Sequence, residues 1–194
     1  MSAPRGNIFL AGVGGQGILL ASEVLGEAFL AAGYDVKKSE VHGMAQRGGA
    51  VTTHLRFGQK VYSPLIEPGT ADILIAFEKL EALRFIHYLK PGGTAVVNAQ
   101  EIPPAPVSSG QEHYPEGIEE AMRAVTPHVH LVDALTAALA LHEVRAVNMV
   151  MAGAASHFLP LAEDAYVAAL TKRLPAKYVE VNVQAFRAGR ALVP

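Results

Sequence analysis

The sequence feature that most constrains the fold is a glycine-rich turn near the N-terminus, residues 12–17, with the sequence Gly-Val-Gly-Gly-Gln-Gly. The apolar segment 7–11 precedes it, and residues 18–32 follow with apolar side chains at the spacing of one helical face. A strand, a tight turn and a helix in this order predict the start of a βαβ unit. Glycine suits such a turn because a bare backbone reverses tightly and lets an anion approach the free amides at the helix start.

The turn also matches the G-x-G-x-x-G spacing of dinucleotide-binding and phosphate-binding loops. The candidate anion-binding or cofactor-binding residues are Gly12, Gly14, Gly15, Gln16 and Gly17. The motif leaves a second interpretation open, in which these glycines only allow the strand and the helix to pack closely. In a nicotinamide site an acidic residue about 20 positions further on binds the ribose. Asp35 and Glu40 are the nearby acids, and neither ends an apolar strand, which weakens the nicotinamide interpretation.

Composition excludes several classes of function. A net charge of −2 gives no electrostatic basis for binding nucleic acid. No apolar run reaches the ~18 residues that a membrane-spanning helix needs, and no signal-peptide pattern precedes the first strand, so we expect a cytoplasmic protein. The chain has no cysteine and therefore cannot hold a cysteine-ligated iron–sulfur cluster, a disulfide or a thiolate nucleophile.

The order of predicted elements indicates one α/β domain over residues 1–194, with no linker and no internal repeat. We expect a three-layer α/β/α Rossmann-like domain whose mixed, mostly parallel sheet contains one hairpin. Residues 71–77 and 94–98 are predicted as buried parallel strands. Alternating residues predict that strand 50–57 pairs with 60–63 across Gly58 and Gln59. The small-residue segment 145–159 predicts a helix that is buried or lies in an interface.

The segment 40–49 has little apolar periodicity and is the second candidate site, at a substrate or at an interface. Its candidate residues are Glu40, His42, Gln46, Arg47, Gly48 and Gly49. Arg47 beside two glycines suits a carboxylate or a phosphate, or else it pairs with Glu40 and braces the loop. His42 is either a base or ligand, or a hydrogen-bonded structural residue. No second histidine or carboxylate stands at metal-ligand spacing, so we expect no metal here.

Several unusual strings occur together and in order: the glycine turn, the segment 40–49, His54-Leu55-Arg56, Ser63-Pro64 and the run 71–78. In this combination the chain resembles the gamma subunit or domain of 2-oxoacid:ferredoxin oxidoreductases. The string 41–49 is most similar to the free-standing version in indolepyruvate ferredoxin oxidoreductases, where it is called the beta subunit. The similarity spans roughly the whole chain and is densest before Asn98.

The resemblance implies a role inside a complex. A partner alpha subunit would carry thiamine diphosphate and iron–sulfur clusters, convert an aryl 2-oxoacid such as indolepyruvate to its acyl-CoA, and reduce ferredoxin. This chain would hold none of these cofactors and no catalytic residue, and would be inactive alone. It would be structural, with contact to coenzyme A or the substrate as a further expectation.

Two other functions remain open from the sequence. The chain is alternatively an autonomous Rossmann-type nucleotide-binding oxidoreductase, although no catalytic Tyr/Lys or His/Asp set is evident. It is also compatible with an oligomeric scaffold that binds no ligand, since fold alone does not distinguish these functions. The apolar content of 51% and the small-residue helix predict that the isolated chain forms a homodimer or aggregates.

Overall fold

The computed structural model describes residues 4–42 and 48–194 of the chain, apart from the side chain of residue 42. Six strands form one sheet. They are β1 (Gly6–Val13), β2 (Asp35–His42), β3 (Ala50–Gly58), β4 (Ala71–Ala76), β5 (Leu89–Asn98) and β6 (Val129–Val132). The α-helices are α1 (Ile18–Ala31), α2 (Lys79–Phe85), α3 (Ala105–Ser108), α4 (Ile118–Val125), α5 (Ala134–Ala140), α6 (Val147–Ser156), α7 (Glu163–Arg173) and α8 (Ala176–Ala191). None of the helices in these ranges is long and apolar enough to cross a membrane.

The sheet has the order β2-β3-β1-β4-β5-β6, in which β3 runs antiparallel to both of its neighbours and the remaining pairs are parallel. One apolar cluster joins α1, α5, α6, α7 and α8 to one face of the sheet, and a second joins α2 and α4 to the other face. These layers confirm the predicted α/β/α class and the mixed, mostly parallel sheet. The predicted strands 71–77 and 94–98 are confirmed as β4 and the main part of β5.

The hairpin lies elsewhere than predicted. Residues 60–63 form no strand, and β3 instead pairs with β2 in unbroken register from Asp35–Gly58 to His42–Val51. Since β1 occupies the other side of β3, neither edge of β3 is available to residues 60–63. The alternation that suggested a strand has another origin: Val61 is buried and its amide donates to Asp35 Oδ2 at 2.9 Å, while Tyr62 is 89% exposed.

The Pro-Gly-Gly sequence of residues 91–93, a pattern that usually ends a helix, lies inside β5. The pairing of β4 with β5 jumps from Ala71–Leu89 to Ile73–Thr94, so residues 90–93 bulge out of the ladder. A bulge tolerates proline because the missing amide is not required for pairing. Helix α2 ends before this sequence, at Phe85, and one turn of 3-10 helix follows at Ile86–Tyr88.

The small-residue helix α6 is buried within the chain, where it packs against α8. The two backbones approach so closely that each helix contributes a glycine at the contact. A Cβ on Gly153 would lie 2.7 Å from the carbonyl carbon of Phe186, and a Cβ on Gly189 would lie 2.7 Å from that of Val150. Internal packing therefore accounts for the small residues of α6, and the predicted self-association of the chain stays a prediction.

His54 ties the loop after β3 to the core and makes the stability of the fold depend on pH. Its ring is buried against Phe9, and its Nδ1 accepts the amide of Ile66 at 3.0 Å, which requires an unprotonated Nδ1. Burial lowers the pKa of His54 below its ordinary 6.5. The unfolded chain therefore takes up a proton at a higher pH than the folded chain does, and the folded state loses stability as the pH falls through that range.

We expect the free energy of unfolding to decrease from pH 7 towards pH 5, with a slope for this residue of at most about 1.4 kcal/mol per pH unit. The variant His54→Asn keeps a hydrogen-bond acceptor but does not titrate, so its stability should depend less steeply on pH. Urea unfolding of both proteins at several pH values measures the difference. Parallel curves for the two proteins would assign the pH dependence to other groups, such as His130, whose pKa burial also lowers.

Candidate functional site

The candidate site lies at the edge of the sheet where the parallel strands β1, β4, β5 and β6 end. The chain leaves β1 towards β2 and β3 on one side of the sheet, and it leaves β4 towards β5 on the other side. In open α/β sheets, a crevice forms where the connections diverge in this way, and ligands bind there. The glycine turn after β1 and the segment after β4 border this crevice.

The glycines of the turn have different structural roles. A Cβ on Gly12 would lie 2.8 Å from the Cβ of Phe77, so this glycine allows β1 and the end of β4 to approach. Gly17 has a φ of +77° and precedes α1 against the side chain of Asn148. Gly15 has a φ of +106° and is exposed, and a Cβ added to it would have no atom of the described residues within 4 Å. Packing thus explains Gly12 and Gly17, whereas Gly15 leaves the turn open to solvent.

Some amides of the turn are already used within the protein. The Gly14 amide donates to the carbonyl of Gly49 at 2.9 Å, and the Gln16 amide donates to the carbonyl of Val13 at 3.2 Å. The following helix α1 has 14 residues, and its start has no side-chain cap within the part of the chain that the structure describes. The first amides of an α-helix have no carbonyl partner within the helix, and they carry the positive end of its dipole. An anion at this turn would therefore bind the start of α1 rather than the amide of Gly14.

Gln16 connects the turn to the ends of two neighbouring strands. Its Oε1 accepts the Val13 amide at 2.8 Å, and its Nε2 donates to the Phe77 carbonyl at 2.7 Å and to Gln100 Oε1 at 3.2 Å. Asn98, at the end of β5, donates to the same Phe77 carbonyl at 3.1 Å and to Gln100 at 3.3 Å. These amide side chains hold the ends of β1, β4 and β5 in a fixed arrangement around the crevice.

Asn148 on α6 completes this arrangement from the other side of the turn. It is 4% exposed, and its Nδ2 donates to the Gly17 carbonyl at 3.2 Å, while its buried Oδ1 has no hydrogen-bond partner within the part of the chain that the structure describes. Gln16 was a candidate from the sequence, whereas Asn98, Gln100 and Asn148 were missed. The sequence held a signal for two of them. Asn98 ends an apolar strand, and Asn148 is a polar residue near the start of a mostly apolar helix.

A buried carboxylate anchors the segment after β4. Glu78 is 1% exposed and caps α2: its Oε2 accepts the Glu81 amide at 2.8 Å, and its Oε1 accepts the Ile102 amide at 3.1 Å and the Tyr114 hydroxyl. Burial, reinforced by the Glu78 carboxylate, raises the pKa of the Tyr114 hydroxyl. Burial also raises the pKa of Glu81, although Arg84 opposes this effect. Glu78 has all these bonds within the fold, which indicates a structural group.

The second candidate site is described only in part. Glu40 Oε1 on β2 contacts Lys38 Nζ at 2.6 Å, and the carbonyl of Gly49 accepts the Gly14 amide. Gly48 is exposed with a φ of +78°. Gln46 and Arg47 lie outside the described residues, as does the side chain of His42. The contact between Gly14 and Gly49 brings the end of this segment next to the glycine turn, so the two candidate sites adjoin.

The chemistry that the polar side chains beside the glycine turn can supply is recognition. These side chains are the amides of Gln16, Asn98, Gln100 and Asn148, which hydrogen-bond but neither titrate nor attack a substrate. Within residues 4–42 and 48–194, no group of three or more histidine, aspartate or glutamate side chains could hold a metal ion. The geometry fits a phosphate or another anion at the start of α1, beside the exposed Gly15.

Comparison with known proteins gives consistent matches over nearly the whole chain. Residues 7–192 match the family model "Pyruvate ferredoxin/flavodoxin oxidoreductase". The chain is 42% identical over 189 residues to the indolepyruvate oxidoreductase subunit IorB of Pyrococcus horikoshii, covering 94% of this chain and 93% of that one. It is 41% identical, with the same coverage, to the IorB subunit of Thermococcus kodakarensis. The fold also matches part of the 2-oxoglutarate:ferredoxin oxidoreductase of Magnetococcus marinus, with a TM-score of 0.75 and 22% sequence identity. This match covers 97% of this chain and 31% of that one.

Proposed function

Because the chain belongs to the pyruvate ferredoxin/flavodoxin oxidoreductase family, we propose that it is the subunit without clusters of a 2-oxoacid:ferredoxin oxidoreductase. The IorB relatives are named as subunits, and the Magnetococcus enzyme carries the same fold as one third of a longer chain. Both observations support a domain that works beside a larger partner. Ferredoxin would meet the complex through that partner.

The proposed substrate is an aryl 2-oxoacid such as indolepyruvate, in keeping with the names of the IorB relatives. The complex would cleave the bond between the carboxyl and keto carbons, release CO2, and join the acyl group to the sulfur of coenzyme A. The two electrons released would pass to ferredoxin. Thiamine diphosphate and iron–sulfur clusters, held by the partner alpha subunit, would supply the decarboxylation and the electron transfer. A chain without cysteine cannot hold cysteine-ligated clusters and is therefore unsuited to the electron transfer.

The observation that carries the proposal for this chain is the open glycine turn at the start of α1. Among residues 4–42 and 48–194, no atom would lie within 4 Å of a Cβ on Gly15, and no side chain caps the start of α1. We infer that this turn contacts a phosphate of coenzyme A in the assembled enzyme. The Magnetococcus structure contains coenzyme A and succinyl-CoA, which supports coenzyme A as the ligand class. The segment 40–49 adjoins the turn, and contact of Arg47 with the oxoacid or coenzyme A stays part of the proposal.

Reconstitution tests the proposed function. The chain purified alone should not reduce ferredoxin or a dye with an aryl 2-oxoacid and coenzyme A, because a chain without cysteine cannot hold the cysteine-ligated clusters that would pass the electrons. Adding the partner alpha subunit should produce turnover, and the alpha subunit alone should show much less. Turnover by the isolated chain, or a nucleotide bound to it in stoichiometric amount, would instead indicate an autonomous nucleotide-binding oxidoreductase.

The contact with coenzyme A is tested at Gly15 with two matched variants. Gly15→Asp and Gly15→Asn are nearly equal in shape and have a similar backbone cost at positive φ, but only aspartate carries a negative charge. In the reconstituted enzyme we expect Gly15→Asp to raise the apparent KM for coenzyme A about tenfold relative to Gly15→Asn, the value of roughly one charged hydrogen bond. Equal KM values for the two variants would show that the turn does not contact a phosphate of coenzyme A.

A further inference from the structure

We propose that the outer edge of β2 pairs with β2 of a second copy of this chain, so that the two sheets join across a two-fold axis at Ser39. The sheet has two outer strands, and they differ in length. The outer strand β6 has four residues, whereas β2 has eight residues paired with β3 on one side in unbroken register. Strand β2 contains no proline or glycine. A long and regular edge of this kind is suited to pairing with another strand.

The charges and the length of β2 together select one register. A two-fold axis through the sheet relates two antiparallel strands so that one residue lies opposite its own copy, and the axis passes between these two residues. An axis at Lys37 or Lys38 would place two lysines opposite each other, and an axis at Glu40 would place two glutamates opposite each other. An axis at Val36 would place Asp35 opposite Lys37, but it would pair only residues 35–37 of β2, just as an axis at Val41 would pair only residues 40–42. An axis at Ser39 instead places Lys38 opposite Glu40 of the second copy, twice. Opposite charges stabilise cross-strand pairs and like charges destabilise them.

Side chains on both faces of β2 fit this pairing. Lys38 and Glu40 lie on the face towards α1, where Lys38 Nζ also reaches Ser22 Oγ at 3.3 Å. Their own ion pair at 2.6 Å would become part of a cluster of four alternating charges in the dimer. On the opposite face Val41 is 53% exposed, and Lys37 of the second copy would cover it with its aliphatic stem.

Apolar surface beside this edge gives a reason for it to associate. A groove of about 280 Å3 runs between α1 and β2, lined by Gly26, Leu30 and Val36 among others, and Leu30 is 52% exposed. Since β2 runs parallel to β1, a two-fold axis at Ser39 would direct the two glycine turns towards opposite ends of the joined sheet. The glycine turn would therefore remain accessible to a partner subunit in the dimer, whereas Glu40 of the second candidate site would lie in the interface between the copies.

Charge reversal tests the register. By sedimentation equilibrium, the full chain should show twice its mass of 20.5 kDa at micromolar concentration. Lys38→Glu or Glu40→Lys alone creates like-charge pairs across the axis, and each should raise the dissociation constant about tenfold or more. An equimolar mixture of the two variants should associate again to within about threefold of the original constant. In the mixture, residues 38 and 40 of the same chain still carry like charges. Recovered association therefore reports only on the contact between copies.

A cysteine cross-link provides a second measurement that does not depend on these charges. The chain has no cysteine of its own, so Ser39→Cys introduces one thiol, placed opposite its symmetry mate. It should form a disulfide-linked dimer under mild oxidation. The matched control is Val41→Cys, on the same face and also exposed, whose two copies would lie about 13 Å apart along the strands, too far for a disulfide. Two results would overturn the proposal. One is that the original chain is still a monomer at about 100 micromolar, roughly the highest concentration used to detect weak dimers. The other is that both cysteine variants cross-link to the same extent.

Discussion

Alanine at Gly153 or at Gly189 is expected to destabilise the fold by at least about 3 kcal/mol. The new Cβ would lie within 2.7 Å of a carbonyl carbon of the facing helix and closer still to its oxygen. Neither atom can rotate away, because both belong to the backbone, so α6 and α8 would have to separate. Overpacking of a core typically costs about 1–3 kcal/mol, and more where nothing can relax. The free energy of unfolding of a domain of this size is roughly 5–15 kcal/mol, so this destabilisation is a large fraction of it.

The matched control is Gly26→Ala. Gly26 also lies in a buried part of a helix, but a Cβ there would have Leu55 Cδ1 as its nearest neighbour, at 3.4 Å, which is an ordinary contact with a flexible side chain. Alanine should leave stability unchanged or raise it by about 0.4–1 kcal/mol, because it restricts the unfolded chain. Urea unfolding of the three variants measures the contrast. The close helix contact would be incorrect if the free energy of unfolding of Gly153→Ala differed from that of the original chain by less than about 1 kcal/mol, the error of such comparisons.

The second large effect is expected at Glu78. Truncation by Glu78→Ala leaves three donors without an acceptor: the amides of Glu81 and Ile102, and the hydroxyl of Tyr114. A buried donor without a partner costs about 1–3 kcal/mol, so we expect a total loss of at least about 3 kcal/mol. Glu78→Gln keeps the shape and one acceptor oxygen and should lose about half as much.

Hydrogen exchange distinguishes this anchoring role from a general loss of stability. Two of the three bonds of Glu78 lead to the segment 102–114, which has little regular structure besides α3. In Glu78→Ala, amides of this segment and of the start of α4 should exchange faster than those of β1 and β4. A uniform increase over the whole chain would show that Glu78 acts only on global stability.

The sequence predicted best those elements whose determinants are local. The unit formed by β1, the glycine turn and α1 was predicted because a buried strand, its turn and its helix adjoin in the chain. The hairpin was placed wrongly because pairing depends on which edges of the sheet are free, and β1 and β2 leave no free edge on β3. The burial of α6 was one of two predicted outcomes, but its partner α8 was not identifiable, since the two glycines of the contact are 36 positions apart.

In the candidate site, too, local features were predictable from the sequence and contacts between distant segments were not. Gln16 could be singled out because it lies within the motif itself. Asn98, Gln100 and Asn148 come from β5, from the residues after it and from α6, and only the folded chain brings them to the turn. The hypothesis that Gly14 offers its amide to an anion did not consider Gly49, which reaches the turn from the end of the β2–β3 connection. Contacts between distant segments have no signature in a single sequence.

The contact between α6 and α8 also bears on how the protein is made. Helix α8 is synthesised after all the strands and helices with which it shares the core, and its side chains Ala185 and Phe186 are part of the main apolar cluster. A nascent chain that has emerged only as far as α7 has all six strands but leaves the α8-facing side of α6 uncovered. The core therefore closes late in synthesis, and the growing chain presents an apolar helix face until α8 arrives. Ribosome-bound chains truncated before residue 176 should accordingly be recognised by chaperones that bind apolar segments, and longer ones should escape them.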